Sequence, residues 1–423
     1  SWIDQASGGE VTSVTSNILI QKSIDPATTP NILTDYIEET DDDYKILSFT
    51  YDSTNANASD QTEFLLNFPQ EVDCDILMVG GGGGGSQAHG GGGGAGSVIF
   101  MKDVKMNGEY TFKIGNGGDI EGTPGSGLGG RGFKGKDSEI YKSETNKVIA
   151  EGGGGGGENS DGKGGNGGSG GGGDGYDNTT LNVTGGTANS YTPVLEGITG
   201  IKYGNNGGTI TSNPWGGAGG GGAGGNGVTS STGTGNNNVG GVGIEKATLN
   251  GTEYNFKSRF NINNTSIGHH TGSDVYFGGG GGGGVWGTTT GSAGGLGGGG
   301  GGGRGGLSNN TGSGEEGTAN TGGGGGGGGD NKPVGGKGGS GVIMIRYKII
   351  RFLDDVTQFF QPKFYKSVKN PELISGPVAH YINDNSPISD LYKYSLFKYD
   401  STNDNGSNQT DYQLIFSEDT EAD

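Results

Sequence analysis

The sequence predicts a mainly β protein in which a small antiparallel β-sandwich is fused to a bundle of polyglycine II helices, arranged as tandem modules. Three observations point there. The chain holds 103 glycines among 423 residues, with six uninterrupted runs of five or more at 80–85, 90–94, 152–157, 278–284, 297–303 and 322–329. Strand-like apolar segments bracket the glycine: Asp75-Ile-Leu-Met-Val79 leads straight into it, and residues 335–341 lead straight into Val342-Ile-Met-Ile345. A long stretch of sequence also returns once, 348 residues later.

The glycine runs come first because they constrain everything else. Polyglycine has one ordered solution of this length, the extended left-handed helix with three residues per turn and about 3.1 Å rise, which has no internal hydrogen bonds. A single such helix is unstable, but several side by side can bond laterally, because nothing protrudes from the backbone. Ordering glycine costs more backbone entropy than ordering any other residue, so nearly every N–H and C=O in the bundle must be paired. Gly80, Gly90, Gly152, Gly278, Gly297 and Gly322 mark the runs expected to build it. With 11 prolines and no Gly-X-Y period, collagen is excluded.

The strands follow in chain order. Residues 44–50 and 63–68 read as two strands around the polar connection 52–61, and residues 75–79 continue the sheet. Residues 97–104 and 108–114 add two more, joined at Asn107-Gly108, a hairpin turn signal. Residues 139–142 and 147–150 are weaker strands, and residues 341–348 close the set. Between 151 and 340 the strand pattern is sparse and glycine dominates. The polyglycine bundle is placed there and at 80–96, broken by loops such as 178–200 and 249–274.

The repeat sets the domain plan. Residues 51–68 recur as residues 399–416 with eleven of eighteen positions identical, and Asp75 aligns with Asp423. The plan is the end of a preceding segment at 1–43, one glycine-rich module at 44–347 (β part 44–150 and 341–347), a connector at 348–391, and the start of a second module at 392–423. The sequence starts at Ser1 without an initiator Met, and a piece of a longer protein is expected. The connector aromatics Phe352, Phe359, Phe360, Phe364 and Tyr365 are expected to dock on a neighbouring module or subunit.

Composition narrows the partners. Hydrophobic residues make up 28 % of the chain, too little for several conventional cores. The formal net charge of -20 argues against nucleic acid and against anionic membranes. No apolar run reaches membrane-span length. Cys74 is the only cysteine, so no intrachain disulfide is possible, and its strand position reads as a small buried residue.

Side-chain chemistry is concentrated beside the glycine. Trp215, Tyr276, Phe277 and Trp286 flank the runs, where large rings can cap a bundle that has no side chains of its own. Trp215, Tyr276 and Trp286 are also the candidate ligand-binding residues, an aromatic platform on loops held by a rigid scaffold. His269-His270 lacks a third ligand at metal-site spacing, so no metal is expected. Asn57, Asn178, Asn182, Asn250, Asn263, Asn264, Asn309, Asn405 and Asn408 head Asn-x-Ser/Thr patterns, frequent by chance in a chain of this composition. The strand-then-glycine opening at 76–85 superficially matches a nucleotide loop. No helix and no Gly-Lys-Ser/Thr follow it, so nucleotide binding is rejected and no cofactor is expected. No catalytic constellation is visible, and the chain reads as non-enzymatic.

Three segments carry a family likeness: residues 74–85, where Cys74-Asp-Ile-Leu-Met-Val79 opens into six glycines, residues 90–100, and the closing Gly338-Gly-Ser-Gly-Val-Ile-Met-Ile-Arg-Tyr347. Together they resemble the glycine-rich domain of viral fibre and tail proteins. The stretch 260–270 with Val275-Tyr-Phe-Gly-Gly is similar to the version in large DNA viruses of algae. The resemblance covers about 44–347 and the restart at 392, and implies kinship with the glycine-rich domains of phage tail adhesins and of the anaplastic lymphoma kinase receptor. What it implies for function is a structural, adhesive module of a virion surface fibre or spike, extracellular and open to oligomeric assembly. Its partners would be other capsid or fibre subunits and a host surface glycan or protein. The absence of disulfides departs from the receptor version. Two other functions compete: ice binding, which needs a flat regular face of small residues and Thr, and glycan hydrolysis, which needs a carboxylate pair in a cleft.

Overall fold

A computed structural model describes residues 19–22, 37–41, 44–121, 130–157, 162–175, 182–211, 215–231, 238–286, 291–299, 312–329, 334–348, 363–367, 372–373 and 411–415. Asn178, Asn309, Asn405, Asn408, glycines 300–303 and Phe352, Phe359 and Phe360 lie outside these residues. The chain divides into two compact units, Ser1–Ile349 and Ile350–Asp423. It is mainly β with antiparallel sheets, and its described α-helix is a single turn.

In the first unit the strands run β1 (Leu19–Lys22), β2 (Ile37–Asp41), β3 (Tyr44–Thr50), β4 (Gln61–Val79), β5 (Val98–Gly115), β6 (Ser138–Ser143), β7 (Asn146–Ala150), β8 (Val194–Leu195), β9 (Ile198–Thr199) and β10 (Ile201–Tyr203). They continue as β11 (Lys246–Leu249), β12 (Thr252–Asn255), the turn α1 (Phe256–Arg259), β13 (His269–Thr271), β14 (Asp274–Tyr276) and β15 (Val342–Lys348). Nine strands share one sheet in the order β2-β3-β15-β4-β5-β6-β7, with β1 paired to β4 and β10 to β5.

The long pair β4 and β5 is the backbone of this sheet. Its ladder shifts register twice, between Phe68 and Val72 and between Cys74 and Ile76, so the pair is bulged rather than flat. The expected hairpin at Asn107-Gly108 does not form. The two strands expected at 97–104 and 108–114 run on as the single strand β5 (Val98–Gly115), and Gly108 takes a left-handed φ of +80° beside the first bulge. The positive φ that favours Asn-Gly in a reversal here absorbs a strand distortion instead.

Alternation along the strands feeds two cores. Cys74, Ile76 and Met78 with Ile343 and Ile345 face one side, where Phe49 of β3 packs edge-on against Phe64 at 5.1 Å and Phe112 at 5.4 Å between ring centroids. Leu77, Val79, Val98, Phe100, Val342 and Met344 face the other, against Phe256, Phe260, Ile262, Ile267, Val275 and Phe277. The stretch 249–274, expected as a loop, is therefore a folded cover of two hairpins and a helical turn. The turn starts at Asn255, whose side chain accepts from the backbone N–H of Ser258 at 3.1 Å. On this side the buried carboxylate of Asp75 pairs with Arg259 and, at 3.4 Å, with Arg346, tying the cover to β4 and β15.

The described glycine segments hold no strand or helix of their own, yet their hydrogen bonds are regular. Along residues 80–85, Gly80 and Gly83 donate to Ser97 and Gly94; Gly81 and Gly84 donate to Lys136 and Phe133; Gly82 and Gly85 donate to Gly339 and Gly336. Partners repeat every three residues and step backward, so these three neighbours are antiparallel. In the other direction Gly153 and Gly156 donate to Gly81 and Gly84, and Gly325 and Gly328 donate to Gly83 and Ser86, as parallel neighbours. The segment is enclosed by backbone. A Cβ built on Gly82 would lie 2.0 Å from the carbonyl oxygen of Gly323. Segments 116–121 and 130–137, placed by sequence with the β part, join this network.

The second unit contains β16 (Lys363–Ser367), β17 (Glu372–Leu373) and β18 (Asp411–Ile415), paired in the order β17-β16-β18. No described helix is long and apolar enough to cross a membrane.

Candidate functional site

The glycine segments run between the sheet and a set of turns at their far end. Gly80, Gly278, Gly322 and Gly341 lie at the sheet: Gly80 follows Val79, and the other three have atoms of Val79 or Val98 beside them. Gly278 takes a left-handed φ of +71° there, turning the chain out of β14 into its run. Gly284, Gly328 and Gly90 meet at the opposite end, where Gly284 donates to Gly90 at 2.8 Å and Gly90 donates to Gly328 at 2.9 Å.

Two of the three aromatic candidates come together at that far end. The bridge between Gly216 and Val285 aligns their chain neighbours, so the rings of Trp215 and Trp286 lie 6.2 Å apart and tilted by 38°. Trp286 is 43 % exposed and Trp215 is half-buried. Tyr276 is not part of this pair. It sits in β14 opposite His269, at the sheet end of the run 278–284, whose seven glycines lie between it and Trp286. Phe277 is buried in the second core.

His89 completes the aromatic cap and was not singled out by sequence. Its ring stands edge-on to Trp215 at 5.5 Å between centroids, and it is buried. It lies in the turn 86–90, where Ala88 and His89 both hold left-handed φ values of +48° and +58°. Such residues cost about 1–2 kcal/mol each. The turn is held by Gln87 donating to Gly130 at 2.7 Å and His89 donating to Gly329 at 3.0 Å. A rigid turn thus backs an exposed indole, an arrangement suited to stacking against a flat apolar ligand face.

The other sequence candidates land elsewhere. His270 Nε2 lies 3.1 Å from the carbonyl oxygens of both Asn264 and Ile267, which uses its ring locally. Among the described residues no group of three or more His, Cys, Asp or Glu is placed to hold a metal ion. Cys74 is buried in the first core. A compact polar cluster lies at the side of the sheet: Lys142 Nζ is 2.6 Å from Glu196 and 3.1 Å from the Tyr110 hydroxyl, which donates to Glu196. Burial, then the bond to Glu196, pushes the Tyr110 hydroxyl up. Burial also opposes ionisation of Glu196, but the bonds from Lys142 and Tyr110 outweigh it and hold the carboxyl below its usual range. Each of these groups is satisfied by the others, which describes a clamp.

A family model described as a glycine-rich domain matches residues 58–348. No curated protein matches the chain.

Proposed function

The chain belongs to the glycine-rich domain family, and on that premise we propose that it is a non-enzymatic structural and adhesive module of a virion surface fibre or spike. In this reading the glycine segments are polyglycine II helices packed laterally, the sheet is a bent sandwich that anchors them, and the module is a stiff spacer carrying contact groups at its far end. The observation that carries the proposal is the three-residue repeat of hydrogen-bond partners along 80–85, with antiparallel neighbours accepting and parallel neighbours donating. A bundle cross-linked by backbone in every direction resists bending without a large apolar core.

Tandem modules are supported by strand register. β1 pairs with β4 through Leu19 opposite Asn67 and Lys22 opposite Phe64. In the second unit β16 pairs with β18 through Lys363 opposite Ile415 and Lys366 opposite Tyr412. Asn67 and Ile415 are equivalent positions of the sequence repeat, as are Phe64 and Tyr412, so the two pairings coincide. Lys22-Ser-Ile24 and Lys366-Ser-Val368 then correspond as well. On this reading each module opens with the strand at Leu19 or Lys363, and residues 363–391 belong to the second module.

Partners proposed are other capsid or fibre subunits and a host surface glycan or protein, at an extracellular location. The test is immunogold labelling of intact virions with antibodies to the chain, followed by a near-atomic map of the labelled projection. Surface labelling with side-by-side threefold helices at 80–85, 278–284 and 322–329 is expected. Label confined to the particle interior, or absent from intact virions, overturns the reading.

A further inference from the structure

We propose that the concavity between residues 188–191, Lys202, residues 204–206 and Asn226 is a binding subsite for a neutral saccharide. It rests on the attachment part of the reading above, and lies apart from the tryptophan pair. Its volume is about 290 Å³ and its lining is polar: asparagines 189, 205, 206 and 226 together with Tyr191 and Lys202.

Three of the amides are oriented before any ligand arrives. Asn205 gives its Nδ2 to the carbonyls of Gly222 and Ala223, both at 2.9 Å, which leaves its Oδ1 as the open group. Asn206 Oδ1 accepts from the backbone N–H of Ala188 at 2.9 Å, and Asn226 Oδ1 accepts from the backbone N–H of Asn206 at 3.1 Å. Their Nδ2 groups are the open ones. The subsite therefore offers one fixed acceptor and two fixed donors, the complement of neighbouring hydroxyls that each donate and accept. Fixing these side chains in the free protein removes part of the ordering cost of binding.

The ring and the charges narrow the ligand further. Tyr191 is 38 % exposed, its hydroxyl is anchored by the backbone of Ile149 and Lys202 Nζ lies over its ring at 5.3 Å from the centroid, so the exposed remainder of the ring is what a sugar face would meet. Lys202 is the only cation among the described lining residues, and it is already engaged. Its Nζ lies 3.3 Å from Glu151 Oε2 and donates to the Asn189 carbonyl, and its side chain is 5 % exposed. Glu151 neutralises it, so among the described residues no free cation lines the concavity. A carboxylate, sulfate or phosphate ligand would find no counter-ion there, while an uncharged hydroxylated ring would lose nothing.

The test titrates the full 423-residue chain with the methyl glycosides of glucose, galactose, mannose and xylose, and with N-acetylneuraminate and glucuronate, by saturation-transfer NMR. At least one neutral glycoside is expected to bind in the millimolar range, with both acids weaker. N206D and N226D keep the accepting oxygen and remove the donor, so circular dichroism should be unchanged while affinity falls roughly fivefold or more, the loss of one hydrogen bond. The proposal is overturned if no neutral glycoside binds at millimolar concentration, if the acids bind as well, or if both aspartate variants bind like the unsubstituted chain. Virion labelling with no glycoside binding sinks only this subsite; binding without labelling sinks only the virion role.

Discussion

Replacing Gly82 by alanine puts the backbone packing to a quantitative test. The new Cβ would lie 2.0 Å from the oxygen and 2.4 Å from the carbon of Gly323, and 2.8 Å from the nitrogen of Gly324. All three are backbone atoms, so no rotamer change relieves the clash. Reaching ordinary contact at 3.4 Å requires segment 322–329 to withdraw by about 1.4 Å. That segment donates from Gly325 to Gly83 at 2.9 Å and from Gly328 to Ser86 at 2.7 Å. Breaking both leaves buried donors without acceptors at about 1–3 kcal/mol each, so Gly82→Ala should cost on the order of 2–6 kcal/mol. Two controls separate this from general effects of alanine. At Gly225 the nearest atom to a built Cβ is Val242 Cγ2 at 3.4 Å, so Gly225→Ala should be neutral or stabilising by about 0.5 kcal/mol through the unfolded chain. Gly108 has open space but φ +80°, so Gly108→Ala should cost about 1–2 kcal/mol from backbone strain alone. Urea unfolding followed by far-ultraviolet circular dichroism ranks the three. If Gly82→Ala falls within roughly 1 kcal/mol of Gly225→Ala, enclosure by backbone is not what holds this segment.

Three further outcomes follow from the cores and the clamp. Asp75→Asn should cost about 3 kcal/mol in thermal unfolding by stranding Arg346, which is 8 % exposed; a loss below roughly 1 kcal/mol would mean that the arginines are satisfied without the charge. Burial, then the charges of Asp75 and Asp73, pushes the Cys74 thiol well up, so a disulfide-forming reagent should leave the folded chain untouched and titrate one thiol per chain in denaturant. Rapid reaction in the folded state would contradict its burial. Glu196→Gln should cost about 1 kcal/mol at neutral pH. Because the folded carboxyl is held below its ordinary value, that contribution is present above about pH 4.5 and is lost as pH falls through the folded value, so parent and variant should converge in acid. A constant difference across the titration would assign the cost to packing.

The parts of the fold carried by local pattern were legible from sequence. Residues 44–50 and 342–348 form the strands that alternation and their glycine brackets predict. Asn107-Gly108 misled because a positive φ serves a bulge as well as a reversal, and only the partner strand decides between them. The cover at 249–274 carries too short a period to announce hairpins, and its apolar residues declare their purpose only against Phe100 and Met344. Trp215 and Trp286 were visible as chemistry, but their meeting depends on a bridge across 69 residues, while Tyr276 lies in β14, before the glycine run that leads to Trp286. The asparagine concavity was invisible for a related reason. Asn206 and Asn226 are twenty residues apart and become neighbours only when glycine segments pack side by side.

The partner pattern along residues 80–85 carries a geometric consequence. In the threefold-helix reading proposed above, such a chain superimposes on itself after a one-residue step combined with a third of a turn. Pure glycine in such a channel has no way to tell one screw setting from the next, so slippage by one residue leaves its interior bonds intact. The setting must come from the ends, where side chains return: Val79 below, and Ser86 with Gln87 above. An added glycine would thus thread upward and lengthen the turn at the far end while the sheet stays still. The length of the far turn would then be set apart from the sheet that anchors the run, with the bonds of Gln87 to Gly130 and of His89 to Gly329 the ones that must re-form around it.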